Sequence, residues 1–378
     1  MRPPTISPWI GLLMLFMAFP GLIMAQSECG DLLRQAQRSY DEGHPETAMS
    51  LINDCISEDK FTRNEAIQAY RLITIIHLME NDPMADQSFQ KLLKLNPEFR
   101  VDYDSLKADP AELVFLYESF HTDPRIYFRV HAGINSSRVN EGEVFDISPD
   151  PFQTKEYSPG TEFQAGIQIG IPLFTRNIRL NAGLELAQVS YDLRNSFNAF
   201  GPETNLGTDR NDQADFFEIR LTEVQQLINI PISISVDFDR WSRYNFERNS
   251  FVPFIYGGIT YHQLGRASFP EISTASNTGN FLSSSAFRNG GIDELRNDIN
   301  FSLTLGLGFK LKVFRNYLVV DGRYSQGLTN VVNADLRYAN AELVHGFGHL
   351  DSDFKFNTLS LSVGYEVPIY VPKRRKIK

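Results

Sequence analysis

Cysteine is nearly absent from this chain: 378 residues carry two, Cys29 and Cys55. Long apolar runs are missing as well. After Met24 no segment reaches the 18 or more uninterrupted apolar residues of a spanning helix, so nothing would hold the chain in an inner membrane. Positive charge is in deficit. Lys and Arg number 36 against 46 Asp and Glu, and a net charge of −10 argues against nucleic acid as a partner. Over residues 28–121 glycine is scarce, and that stretch reads differently from everything after it.

The first 25 residues resemble a secretory signal peptide. One charge, Arg2, precedes apolar Trp9–Met24, and Ala25 places a small residue before Gln26. The competing reading, a retained anchor helix, has about 16 apolar residues broken by Pro20 and Gly21, short for a span. Cys29 follows Ser27-Glu28 where a lipobox needs small residues, so no lipid anchor is expected. Cleavage removes Arg2 and takes the formal charge from −10 to −11. An exported chain meets an oxidising compartment, where a pair of cysteines suggests a disulfide.

Residues 28–121 repeat apolar side chains at helical spacing. Helices are predicted over Cys29–Glu42, Glu46–Ser57, Thr62–Glu80, Met84–Leu95 and Pro110–Phe120. Gly43-His44-Pro45 and Asn81-Asp82-Pro83 are the turns, and Pro45 suits a first helical turn. In an antiparallel hairpin the start of the first helix meets the end of the second, which puts Cys29 beside Cys55; two buried free thiols are the alternative. The stretch Ala85-x-x-x-Phe89-x-x-Leu92-Leu93-x-Leu95-Asn96-Pro97 resembles the second helix of a tetratricopeptide repeat, and Ala48 lies 37 residues before Ala85. That resemblance implies a groove for peptides or partner proteins. The bland alternative is a compact helical module with no ligand.

From Ile126 onward the period changes from helical to two. In Phe301–Val313 every odd position is large and apolar and every even one small or polar. Similar alternation marks Ile126–Ile134, Phe163–Ile171, Ile178–Leu186, Ile228–Phe238, Phe251–Leu264, Tyr317–Ser325 and Leu359–Ile369. The gaps alternate: Thr175-Arg176-Asn177 and Arg315-Asn316 are short, 239–250 is medium, and 135–160, 192–215, 265–298 and 326–355 are long. Short turns alternating with long loops describe an outer-membrane barrel. The predicted architecture is a periplasmic helical domain (26–122) followed by an eight-stranded antiparallel outer-membrane β-barrel (123–371). A basic tail (372–378) ends the chain, and both termini lie in the periplasm. The tail, with Lys373, Arg374, Arg375, Lys376 and Lys378, is either a solvated end or a contact for anionic headgroups. Phe174, Phe238, Phe251, Phe314, Tyr317 and Tyr370 gather near the short turns as an aromatic girdle. One irregularity stands out: between Leu221 and Ile228 the apolar parity slips, which a bulge or an extension beyond the bilayer would absorb.

Eight strands enclose an interior only wide enough for side chains. Its inward face is expected to carry Arg129, Glu162, Arg179, Glu185, Asp237, Lys310, Lys312, Asp321, Arg323 and Glu366. Buried charges of both signs must pair, so the lumen reads as a salt-bridged plug or, alternatively, as a gated ion path. Enzymatic signals are weak. His345 and His349 flank two glycines that disfavour the helix an i,i+4 metal pair needs. Asp209–Asp215 lacks the glycine and the terminal glutamate of a calcium loop. Asp104-Ser105-Leu106 resembles an O-glycan acceptor of Bacteroidetes. No catalytic residue, metal or cofactor is expected, and the chain is not expected to be an enzyme.

Leu227-Ile228-Asn229-Ile230-Pro231-Ile232-Ser233 and Val252-Pro253-Phe254-Ile255-Tyr256-Gly257-Gly258 resemble two strands of PorT-like outer-membrane barrels of Bacteroidetes. The resemblance covers about residues 126–370 and implies the barrel and its membrane rather than an activity. The chain ends its last strand at Tyr370 instead of a terminal phenylalanine. The expected role is a scaffold or accessory protein of an envelope assembly. It would contact outer-membrane lipid and a periplasmic or outer-membrane protein partner. A narrow gated channel and a receptor or adhesin acting through the long loops are the alternatives.

Overall fold

The computed structural model describes residues 28–102, 109–122, 124–146, 154–174, 177–198, 216–238, 251–276, 282–283, 291–346 and 349–374. The expected signal peptide, the Asp104–Leu106 acceptor, the Asp209–Asp215 loop and the 239–250 linker lie outside them. The chain divides into two compact units. One runs to Thr122 and takes the chain up again at Val371; the other is Asp123–Tyr370.

The first unit is helical: α1 Glu28–Asp41, α2 Pro45–Ser57, α3 Arg63–Met79, α4 Met84–Leu95 and α5 Ala111–Ser119. Pro45 opens α2, where its missing N–H costs no hydrogen bond. A capping box starts α3: the Thr62 backbone N–H donates to Glu65 at 2.8 Å. Leu33, Ala36, Ala48, Ile52, Ala69 and Leu72 pack α1, α2 and α3 together. Phe89, Leu92, Leu93, Leu113 and Phe120 form a second core joining α4 to α5, with Phe120 edge-on to Phe89 at 5.3 Å. Cys29 and Cys55 form a disulfide, their Cα atoms 5.8 Å apart, as the hairpin geometry requires. In the described part of the basic tail, Lys373–Arg374 is a strand. Lys373–Arg374 pairs antiparallel with Phe120–His121, and Arg374 Nη1 meets Asp86 Oδ2 at 2.5 Å. Backbone pairing and an ion pair thus hold residues that the sequence reading left to solvent or to headgroups.

The second unit is a closed ring. Its strands are β1 Pro124–Glu141, β2 Thr154–Pro172, β3 Ile178–Asn198, β4 Phe216–Asp237, β5 Phe251–Ser276, β6 Ile299–Val313, β7 Asn316–Gly327 and β8 Phe354–Tyr370. Each pairs antiparallel with its chain neighbour, and β8 pairs with β1 from Phe354↔Glu141 to Tyr370↔Pro124. A ring with no free edge satisfies its backbone without water. The faces are inverted relative to a soluble protein. Ile167, Leu184, Leu186, Ile232, Leu305, Leu307 and Leu361 are exposed, whereas Arg129, Arg179, Glu185, Lys310 and Glu366 are buried. An outward apolar belt around a polar interior is the pattern of a membrane-spanning barrel. Phe174 and Phe314 stand 92% and 91% exposed at the two short turns, where interfacial aromatics belong.

Several strands run beyond the predicted spans: β3 reaches Asn198 rather than Leu186, and β5 reaches Ser276 rather than Leu264. In β4 the backbone keeps its parity. Ile219, Leu221, Glu223, Gln225, Leu227, Asn229 and Ser233 all point inward. The apolar side chains change face along the strand, from outward Ile228 to inward Leu221, because β4 runs on beyond the apolar belt, one of the two explanations the sequence allowed. The irregular pairing falls opposite, where β5 carries extra residues between Thr222/Val224 and between Gln226/Leu227.

The disulfide closes a loop of 26 residues, worth about 3 kcal/mol to the helical unit in the chain-entropy account. Cys55→Ser is therefore expected to speed protease cleavage within residues 28–102 of the full chain in detergent. The barrel's resistance to unheated SDS should stay unchanged. Equal cleavage of the two proteins would show that the helices hold without it.

Candidate functional site

The lumen is where the polar side chains converge, and alternation along the strands puts them there. Near the short-turn end, Arg179 on β3 donates to Asp237 of β4 and Glu366 of β8, each at 3.0 Å. Lys310 on β6 reaches the same two carboxylates at 2.7 and 3.3 Å. The Tyr127 ring lies 4.4 Å from the Arg179 guanidinium carbon. Two cations and two anions share one layer, so neither sign is left unpaired.

A second layer pairs Arg129 with Asp321, which also accepts from Tyr256 Oη at 2.7 Å and Ser362 Oγ at 2.9 Å. In a third, Glu185 accepts from Arg323 at 2.9 Å and Asn229 at 3.1 Å, and His131 Nε2 lies 3.1 Å away. Arg323 also donates to Gln164 at 3.1 Å. Eight of the expected lumen charges thus meet: Arg129, Arg179, Glu185, Asp237, Lys310, Asp321, Arg323 and Glu366. Glu162 does not join these layers; half-buried, it accepts from Ser190 Oγ at 2.8 Å. Lys312 sits half-buried near the short-turn end of β6.

Above these layers the interior becomes an apolar core of Tyr191, Leu193, Leu221, Phe269, Ile292, Val332 and Phe354. Residues 291–296, 328–344 and 349–353 help to build it: Asn297 N–H donates to Val331 O at 2.8 Å, and Val331 N–H to Phe354 O at 2.9 Å. At its centre the fully buried Arg296 guanidinium donates to Glu223 at 2.6 and 2.8 Å and to Asp351 at 2.7 and 3.2 Å. Tyr191 Oη donates to Glu223, and Arg337 Nη1 donates to the Asp351 carbonyl at 2.5 Å. Burial works against the charge on Arg296, but Asp351 and Glu223 outweigh it and hold its pKa above the ordinary arginine value. Burial likewise raises the Asp351 carboxyl, yet Arg296 and His349 outweigh it and hold it well below the usual range.

The sequence reading did not find this cap. Glu223 was within reach: continuing the odd parity of Asn229 and Asp237 up β4 places it inside. Arg296 and Asp351 lie outside the strands and carry no period. Of the two weighed metal ligands, His349 Nε2 lies 3.2 Å from Asp351 within the cap, and the His345 side chain is outside the described residues. Among the described residues no group of three His, Cys, Asp or Glu is placed to hold a metal ion.

Two small cavities lie among the described lumen residues. One cavity, lined by Asn135, Glu185, Asn229, His262 and Arg323, offers about 60 Å³ to the centres of water molecules. Another, beside Arg129, Tyr256 and Arg323, offers about 40 Å³. Each suits a few waters; a solute has no way past the ion pairs without moving them.

No family model matches the sequence, and no curated protein matches it. Among solved structures, the chain is similar to Ail, the attachment invasion locus protein of Yersinia pestis, at 14% identity and TM-score 0.24, over 64% of this chain and 99% of that one. It is similar to OprG of Pseudomonas aeruginosa at 10% identity and TM-score 0.28, over 67% and 98%. For the N-terminal barrel of OprF of Pseudomonas aeruginosa the values are 8% and 0.23, over 65% and 99%. Similarity this low carries no argument about activity; the architecture rests on the strand pairing above.

Breaking a buried ion pair by removing one partner costs about 3–5 kcal/mol. Arg296→Met leaves two buried carboxylates facing each other, so amide exchange over 291–296 and 329–354 is expected to rise by at least tenfold while the belt strands stay protected. Exchange unchanged from wild type would show the cap is held by apolar contacts alone.

The depressed Asp351 pKa gives a second expectation. A carboxyl lowered on folding stabilises fully above its unfolded pKa, about 3.9, and loses that contribution as pH falls from there toward the folded value. Cap protection, corrected for intrinsic exchange, should be flat from pH 7 to 5 and fall below about 4. A decline centred near pH 6 would point to histidine instead.

Proposed function

We propose that the protein is an outer-membrane barrel that serves as a closed anchor, and that its helical unit is the interaction module for a periplasmic or outer-membrane protein partner. One observation carries this reading: the lumen is filled by three ion-pair layers beneath an apolar cap. An interior so committed suits a tether better than a conduit. The ring brings both of its chain ends together, with Tyr370 opposite Pro124, at the end that bears the short turns. Short turns face the periplasm in outer-membrane barrels, so the helical unit is assigned to that compartment. Similarity of Ala85–Pro97 to a tetratricopeptide helix supports a partner-binding role, and Leu227–Ser233 with Val252–Gly258 supports a PorT-like barrel. A non-enzymatic role belongs to the same proposal. The second reading, a narrow gated channel, draws on the two cavities that share Arg323 in their lining.

Two experiments separate these readings. Crosslinking in intact cells from a probe on the helical unit is expected to capture a discrete envelope protein, and deletion of 28–121 should lose it while the barrel still folds. A capture unaffected by the deletion would defeat the interaction role. In planar bilayers the full chain is expected to show no steady conductance. Conductance steps that change with Glu185→Gln or Lys310→Met would establish the channel instead.

A further inference from the structure

On the outer face of the β7–β8–β1 seam the apolar belt gives way to polar side chains, as it does at Gln188, Gln226 and Arg266 on β3–β5, but here two cations stand together. The seam's outward side chains form rows set by the register: Gly322–Leu361–Ile134, then Tyr324–Leu359–Ser136, then Gln326–Asn357–Arg138, then Lys355–Asn140. The first two rows still belong to the apolar belt, with Leu359 63% exposed. The next two replace it with amides and two cations. Arg138 and Lys355 are exposed, and no ion-pair partner for either is found among the described residues. They are diagonal neighbours on one face, about 7–8 Å apart in an antiparallel pair, close enough for both to reach one phosphate. A cation on the lipid face is costly at mid-bilayer and nearly free at the interface. This pair is therefore assigned to headgroup depth, one and two rows beyond the row of Tyr324, whose phenol prefers the same depth.

Below the cations the belt has a notch. Gly322 lies between Leu307 on β6 and Leu361 on β8, both well exposed. A Cβ placed on Gly322 would meet nothing within 4 Å. Its outward neighbours Leu307, Leu361 and Ile134 carry branched aliphatic side chains and the row ends at Phe163 on β2, so the gap is a notch of side-chain width in the belt below the cation rows. An uncompensated positive pair above an unfilled apolar slot is complementary to an amphiphile with an anionic head and a thin tail.

We propose that Arg138, Lys355 and the slot over Gly322 bind one anionic, phosphate-bearing lipid on the β8–β1 seam, with the phosphate between the two cations and an acyl chain over Gly322. The site needs the barrel to span a membrane; it does not depend on the interaction role of the helical unit or on which leaflet the long connections face. The lipid would brace the seam where the first and last strands close the ring.

The test uses the full chain reconstituted in phosphatidylcholine vesicles containing phosphatidylglycerol or lipid A, followed by gentle detergent release and native mass spectrometry. Wild type is expected to retain one anionic lipid per barrel. The double variant Arg138→Gln/Lys355→Gln should lose about thirtyfold in occupancy, as expected for two cations at a membrane surface, and inorganic phosphate should not displace the lipid. Gly322→Leu, which adds a side chain into open space, should fold normally and weaken retention with both cations intact. Equal retention by wild type and the double variant would overturn the proposal. Displacement by inorganic phosphate would also overturn it, reducing the site to a simple anion contact. Normal retention by Gly322→Leu would remove the acyl slot. Resistance to unheated SDS reports whether each variant spans a membrane as a folded barrel. Loss of that resistance in wild type would count against the spanning reading rather than against the site alone.

Discussion

Ring closure between β8 and β1 is the constraint from which the rest follows. A strand edge in hydrocarbon has no water to satisfy it, so the sheet must meet itself. The register from Phe354↔Glu141 to Tyr370↔Pro124 does this along the whole of β8. Closure with eight strands fixes a narrow interior, and that narrowness dictates the chemistry inside. Side chains from opposite walls touch, so a charge on one wall must find its counter-charge on another. Arg129 on β1 meets Asp321 on β7, and Arg323 on β7 meets Glu185 on β3. The ion pairs cross the lumen because the ring brings its opposite walls within reach of one another.

The same closure explains the cap. Where the strands leave the bilayer, their outer faces meet water and turn polar, as at Asp192, Arg194 and Arg220. Inner faces there turn apolar at Tyr191, Leu193 and Leu221 and need a lid to cover them. Ile292, Leu295, Val331, Val332 and Leu343 from the segments outside the strands supply that lid. Arg296 sits in it at no exposure, and its charge is tolerable because Glu223 and Asp351 arrive from different segments to grip both edges of the guanidinium. A planar donor fork fixed by two carboxylates specifies one seating of the lid, which apolar contacts alone would leave degenerate.

How much of this was legible depended on whether the environment imposed a period. In the bilayer it did: outward Ile228, Ile230, Ile232 and Ile234 against inward Asn229, Ser233 and Ser235 mark both the strand and its inner face. Eight lumen charges were therefore assignable before any coordinates. Above the bilayer the alternation persists with its sense reversed, and a reader following apolar side chains sees a slipped register in β4 where none exists. The disulfide was legible because a helical hairpin brings its two ends together. The cap's Arg296 and Asp351 were not, because pairing between segments outside the strands leaves no mark in local sequence. The tail misled for a similar reason: its charge density suggested solvent, while Arg374 is held by Asp86 and by backbone pairing to residues more than 250 positions earlier in the chain.

Conduction and anchoring make opposite demands on such an interior. A path for ions needs charges of one sign exposed to water and weakly held; an anchor tolerates charges only when they are mutually neutralised. Here Arg179 and Lys310 share Asp237 and Glu366, so each cation holds two anions and each anion two cations. Freeing any one of the four strands a charge in a medium that solvates it poorly, and the layer therefore opens as a unit or not at all. A second and third layer in series, and then a lid fixed by Arg296, multiply that barrier. The cooperativity of these pairs is the physical reason to test the outer surfaces and the helical unit for binding before the lumen.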